Sequence, residues 1–200
     1  IFSTENGQSF KANLPKPFST KEAANEFLKQ NLGANFKVSD LEKKPAKKSP
    51  AAPFTTSTLQ QEAARKLYFS VGRTMSVAQR LYETGLITYM RTDSTNLSNE
   101  ARQSAKNAIT TNYGSEYSKT RNYSGKSKGA QEAHEAIRPT DFSRQSISAE
   151  RDQARLYELI WKRSIASQMS DAQLERTNVK IEASSHNDLF NANGEVVKFD

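Results

Sequence analysis

The stretch KKPAKKSPAAP, residues 43–53, carries four lysines, three prolines and three alanines. Nothing in it repeats at the spacing of a helix or a strand, and proline interrupts both, so it reads as a linker. The chain changes character across it. Before it, Asn6-Gly7 lies between Phe2 and Phe10, a pairing of turn residues and strand formers that predicts a hairpin. Ser19 and Glu22 then mark the start of a helix with Ala23, Ala24, Phe27 and Leu28 on one face, closed by Gly33, and Phe36 to Val38 is a weak strand.

After the linker the pattern is helical. Ser57 with Gln60 opens a helix bearing Leu59, Ala63 and Leu67, and Ser76 with Gln79 opens a second bearing Val77, Leu81 and Tyr82, ended by Gly85. Ser98 opens a third with Ala101, Ala105, Ala108 and Ile109, ending near Gly114. Ser148 opens the longest, in which Tyr157, Trp161 and Ile165 share a face beside Leu156 and Ile160. At the far end Val179, Ile181 and Ala183 alternate with polar residues as in a half-buried strand, and Asn193-Gly194 between Phe190 and Phe199 predicts a second hairpin. The expected fold class is therefore α+β: a mainly helical domain, residues 49–174, inserted into a β-rich domain formed by residues 1–48 and 175–200.

Composition narrows the function. No apolar run approaches the roughly 20 residues of a membrane span, and the polar start carries no secretion signal. Cysteine is absent, which removes disulfides and thiolate metal sites and makes a cytoplasmic location the default. The chain opens on Ile1 rather than Met, so an excised piece of a longer protein is expected. Net charge is +7. Between Ala101 and Ala130 the cations Arg102, Lys106, Lys119, Arg121, Lys126 and Lys128 face Glu116 alone, with Tyr113, Tyr117 and Tyr123 among them. Cations interleaved with rings suit a nucleic acid, and a solvated loop is the competing reading. The Ser-, Gly- and Lys-rich run from Tyr117 to Gln131 is expected to be a mobile loop.

Few chemistries remain. His134-Glu135 begins like a zinc-protease helix, but Arg138 stands where the second histidine is needed, and no metal site is expected. Asp93 and Asp141 are isolated carboxylates of the kind that cap helices or turns. No serine elbow and no glycine-rich phosphate cradle occurs. GLITYMRTDSTNLS, Gly85–Ser98, is the exception. In an extended segment Tyr89, Arg91 and Asp93 point the same way. A phenol near pKa ~10 is a poor nucleophile until its anion is stabilised, and an arginine fork supplies that stabilisation to the oxygen and to a phosphate. A packing or cation–π pair is the alternative. His134 and Arg138, four residues apart, would share a face of a helix ended by Pro139 and could grip a phosphate, or could be surface residues at a helix end.

TYMRTDS, Thr88–Ser94, resembles the active-site signature of the type IA DNA topoisomerases in their bacterial topoisomerase I form. PFTTSTLQ (53–60), MSVAQRLY (75–82), AHEAIRPT (133–140) and LYELIW (156–161) match the same family in its order, over residues from about 50 to 170. The resemblance implies that Tyr89 attacks one DNA strand to give a 5′-phosphotyrosine while Arg91 stabilises the phosphate. It implies that His134, Arg138 and Thr88 contact the DNA backbone. Strand passage and resealing would then relax negative supercoils without ATP, with a single-stranded DNA segment as partner, no membrane and a monomer as the working unit. It also implies that magnesium and the general acid belong to a Toprim domain outside residues 1–200, so that this chain holds no cofactor and does not cleave alone. A tyrosine recombinase places its nucleophile after its arginines and histidines, which Tyr89 does not match. The remaining alternative is a non-catalytic single-stranded nucleic-acid-binding module.

Overall fold

The computed structural model describes residues 1–123 and 134–198, so the centre of the Tyr117–Gln131 run, with Lys126 and Lys128, lies outside the described residues. The chain divides into two compact units, Ile1–Lys48 with Ala172–Asp200, and Ser49–Asp171. It is α+β, and no helix among the described residues is long and apolar enough to cross a membrane.

The first unit starts with strands β1 (Phe2–Ser3) and β2 (Ser9–Phe10), paired antiparallel. The hairpin falls where Asn6-Gly7 placed it, but only Gly7 takes a positive φ, +77°, within a Thr4–Gly7 turn. Helix α1 (Lys21–Gln30) is capped by Thr20, one residue later than expected, with Gly33 at φ +77° just beyond its end. Strands β3 (Phe36–Lys48), β4 (Ala172–Ala183) and β5 (His186–Val197) form an antiparallel sheet in the order β3-β4-β5.

Two expectations fail in this sheet. Lys43–Lys48 is not linker but the second half of β3, in register with β4 down to Lys48↔Ala172. Pro45 lies on an edge strand, where proline is tolerated because only alternate N–H groups bond the single partner strand. The lysines keep that edge charged, which discourages pairing with another chain. Asn193-Gly194 is not a turn either. Both residues sit inside β5, opposite Asn178 and Thr177, and the chain reverses at Ser184-Ser185. The alternation of Val179, Ile181 and Ala183 does hold, with Ile181 and Ala183 buried.

The second unit contains α2 (Thr56–Leu67), α3 (Val71–Glu83), α4 (Asn99–Asn112), a single 3-10 turn (Ser115–Tyr117) and α5 (Arg151–Ser167). One apolar core joins Leu59 and Ala63 of α2, Val77 and Leu81 of α3, Ala105 and Ile109 of α4, and Leu156, Ile160 and Trp161 of α5. Each such large side chain contributes about 1.5–3 kcal/mol when buried. The two polar tips on α5 are satisfied, since Tyr157 Oη donates to Arg144 O at 2.7 Å and Trp161 Nε1 to Phe142 O at 2.9 Å.

The starts of α2, α4 and α5 were legible to within about two residues, that of α3 was missed by six, and most caps differ. Thr55 and Thr58 form the capping box of α2 in place of Ser57 and Gln60. Ser70 caps α3 six residues before Ser76, with Gly72 inside the first turn. Ser98 caps α4 as expected, whereas Ser148 caps nothing and α5 begins after Glu150 without a side-chain cap. Gly85, at φ +71°, ends α3 by letting Leu86 N–H reach Leu81 O at 2.9 Å.

Candidate active site

That turn delivers the chain into an irregular, bent segment in which exposed and more buried residues alternate from Tyr89 to Asp93. Ile87 and Met90 are each 1% exposed, while Tyr89 is 45% exposed and Arg91 and Asp93 are open to solvent. The buried pair fixes the segment; Met90 alternates with Tyr89 and Arg91 as the spacing predicted, whereas Ile87, two residues before Tyr89, is buried because the chain bends at Thr88.

Its neighbours hold it on both sides. Thr88 N–H donates to Arg138 O at 2.9 Å, and its hydroxyl donates to Ala136 O at 2.7 Å and accepts from Arg138 N–H at 3.0 Å. On the other side Thr56 Oγ1 donates to Met90 O at 2.8 Å and accepts from Thr92 N–H at 2.9 Å, while Thr56 N–H donates to Thr92 O at 2.9 Å. Ile137 N–H closes the set on Phe54 O at 2.8 Å. Three segments around Phe54, Tyr89 and Ile137 thus support one another beneath the exposed side chains.

The Tyr89 ring meets Tyr82 of α3 edge-on, centroids 5.2 Å apart, and its hydroxyl makes no hydrogen bond to a described residue. Arg91 forms no ion pair among the described residues, so its charge is available. Arg91 and Asp93 share a cleft of about 460 Å³ with exposed His134 and with Thr55, Thr56 and Ser57. Those three residues begin α2, and a helix start presents N–H donors and a positive dipole end to an anion.

His134 and Arg138 do not share a helix face, because residues 134–140 are extended: Ile137 and Pro139 bridge to Phe54 and Ile87, which a helix would forbid. Nor is Arg138 free. Its side chain is 14% exposed and Nη2 lies 2.6 Å from Glu135 Oε2, while Nη1 donates to Pro139 O at 3.0 Å. Thr88 is likewise committed to the Ala136–Arg138 backbone.

The sequence reading gave Glu135 and Thr56 no role. Glu135 Oε1 accepts the Ser98 N–H at 2.6 Å, at the start of α4. Burial pushes its carboxyl up, but Arg138 and the Ser98 N–H outweigh that and hold it below the usual carboxylate range. The Glu135–Ser98 contact joins residues 37 apart, so helix or strand periodicity could not have announced it.

The basic, tyrosine-bearing stretch is less of a nucleic-acid platform than its composition suggested. Arg121 and Lys119 share the single carboxylate of Asp171 at 2.8 and 3.1 Å, which offsets one of their two charges. The Ser49 hydroxyl, Lys119 and Arg121 hold Asp171 down to about 2. Tyr123 is turned inward, donating to Ser167 O at 3.0 Å, and burial raises its phenol pKa. Asp141 is the turn residue expected, accepting from Ser143 N–H at 2.9 Å. Among the described residues no three His, Asp or Glu side chains gather to hold a metal ion.

The sequence profile of the DNA topoisomerase family matches residues 1–200. DNA topoisomerase 1 of Zymomonas mobilis is 54% identical over 137 residues, 68% of this chain and 11% of that protein. DNA topoisomerase 1 of Streptomyces coelicolor is 53% identical over 144 residues, 68% of this chain and 15% of that protein. The structure of full-length topoisomerase I from Thermotoga maritima is similar with a TM-score of 0.75 at 36% identity, covering 94% of this chain and 32% of that one. The chain therefore spans well under a fifth of the curated relatives' length.

Proposed function

Because the chain belongs to the type IA DNA topoisomerases of the bacterial topoisomerase I kind, we propose that Tyr89 is the nucleophile that opens a DNA strand. The phenol oxygen attacks a backbone phosphorus, the bond from phosphorus to the 3′ oxygen breaks, and the 5′ end stays on Tyr89 as a phosphotyrosine. The phenol loses one proton and the departing 3′ hydroxyl gains one. One phosphate diester replaces another, so resealing by the 3′ hydroxyl needs no ATP. Between the two steps the other strand passes, and negative supercoils relax.

Arg91 offsets charge on the phosphate and on the phenol oxygen as it forms. His134 and the start of α2 receive an adjacent phosphate in the cleft. Thr88 and Arg138 act through the backbone bonds that fix the Tyr89 segment. The single observation that carries this reading is Tyr89, 45% exposed and two residues before Arg91, which forms no ion pair among the described residues, on a segment anchored by fully buried neighbours.

Magnesium does not fit the described residues, and no step above runs through it. The reading extends to a helical unit inserted between the two ends of a β unit, to a monomer acting on single-stranded DNA in the cytoplasm, and to a 200-residue chain that does not cleave alone. The test uses the full-length protein carrying this chain, with magnesium and single-stranded DNA labelled on the 3′ side of a cleavage site. Label bound to protein after denaturation, and lost in Tyr89→Phe, is the expected result. Equal label in both proteins moves the chemistry elsewhere and leaves a DNA-binding scaffold.

A further inference from the structure

We infer that Glu135 is a positioning residue for strand cleavage, a role that rests on Tyr89 being the nucleophile. One carboxylate spans the two flanks of the Tyr89–Arg91 segment. Its Oε2 holds Arg138 Nη2 at 2.6 Å, and the Arg138 backbone clamps Thr88, the residue before Tyr89. Its Oε1 holds Ser98 N–H at 2.6 Å, which fixes the end of the loop that follows Arg91. Between these points Ala136 N–H bonds Asn96 O at 2.8 Å, which ties the loop to the 134–138 segment.

The charge balance matters as much as the geometry. Arg138 is 14% exposed and its buried Nε has no hydrogen-bond partner among the described residues. Glu135 is the carboxylate that compensates this guanidinium. Without it, Arg138 is a desolvated cation two residues from Ala136 and close to Thr88, and the way to relieve that is to swing out toward solvent or DNA. Either movement displaces the Tyr89 segment. Catalytic geometry tolerates little of this, since a misplacement of about 1 Å costs on the order of 100-fold in rate.

The test is the single-turnover rate constant for forming the Tyr89–DNA adduct in the full-length protein, because a rate constant does not depend on the fraction of protein folded. Glu135→Gln is expected to slow adduct formation about 10-fold or more, with DNA binding at least as tight, because a negative charge has been removed. The double variant Glu135→Gln/Arg138→Gln is expected to react no more slowly than Arg138→Gln, since the amide oxygen of the Glu135→Gln change can still accept the Ser98 N–H and the lost charge acts through the arginine. A Glu135→Gln rate constant within about twofold of the parent, with only the melting temperature lowered, overturns the inference. If Glu135→Gln does not fold, Glu135→Asp keeps the charge on a shorter arm and must react more slowly than the parent; an unchanged rate constant there overturns the inference equally. Adduct from a Tyr89→Phe control refutes the nucleophile assignment instead, so the two failures are told apart.

Discussion

The two compact units are built on different balances. In Ser49–Asp171 four helices and the segments between them close over one core in which Phe54, Leu81, Ile109, Leu156 and Ile160 are fully buried. In the unit made of both chain ends the buried apolar residues are Leu174, Ile181, Ala183 and Ala192, while Val38 and Leu41 of β3 are 51% and 56% exposed. Phe2, Phe36 and Phe190 there form a ring cluster with edge contacts of 5.2–5.9 Å rather than a deep core. The difference matters for chemistry. A tyrosine that must meet a phosphate accurately is carried by the unit with the deeper core, on a segment pinned by Ile87 and Met90.

The largest effect expected from that contrast is at Leu156. Leu156→Ala should cost about 3 kcal/mol, the usual toll of a cavity at a fully buried site. Trp161, the sole tryptophan, lies on the same helix, so its fluorescence in a denaturant titration reads that unit directly. A loss below about 1 kcal/mol would mean the helical core is loosely packed and the contrast is false.

The same contrast explains what could be read in advance. Leu59, Ala63, Leu81, Ile109 and Ile160 recur at helical spacing because each helix buries one face, so the helical unit was visible as a pattern. Only the first residues of β3, Phe36–Val38, were legible, and the Lys43–Lys48 part was not, because little of it is buried: an edge strand of lysines with Pro45 has no alternation to show. Asn193-Gly194 misled because turn residues signal a turn only when register allows it, and β5 is paired through both. In the site, the outward alternation of Tyr89, Arg91 and Asp93 was legible from local spacing. The roles of Thr56 and Glu135 were not, because they arise from hydrogen bonds between segments far apart in the chain.

Tyr68 offers a smaller test. It ends α2 at φ +60°, the one non-glycine positive φ among the described residues, and is 86% exposed. Tyr68→Gly should relieve a left-handed backbone at no cost in burial and raise stability by about 1 kcal/mol. Unchanged or lower stability by the same titration would show that the tyrosine ring has a contact worth the strain.

Glu62 sets a pH dependence in the helical unit alone. Its carboxyl falls from an ordinary 4.5 to about 2 because Arg65 donates to it, with Lys66 adding to the effect, although burial by itself raises it. Folding therefore favours the ionised form. The stabilisation is present above about 4.5 and is lost as pH falls toward about 2. Solvent reaches the partners, so its size should stay under about 1 kcal/mol. Stability of Glu62→Gln should fall below the parent at pH 6 and converge with it near pH 2; a gap that persists in acid would assign the effect to packing. The smallest change is expected at Leu41→Ala on exposed β3, within about 0.5 kcal/mol of the parent, and a larger loss would mean the β3 face is covered.

The most direct measurement is mass spectrometry of the peptide that remains attached to DNA when the full-length protein is trapped on a single-stranded substrate and digested with protease and nuclease. The account predicts one modified peptide, spanning Tyr89, with the nucleotide joined through its 5′ phosphate to the phenol oxygen. A nucleotide on any other residue, or one joined through its 3′ phosphate, would contradict it.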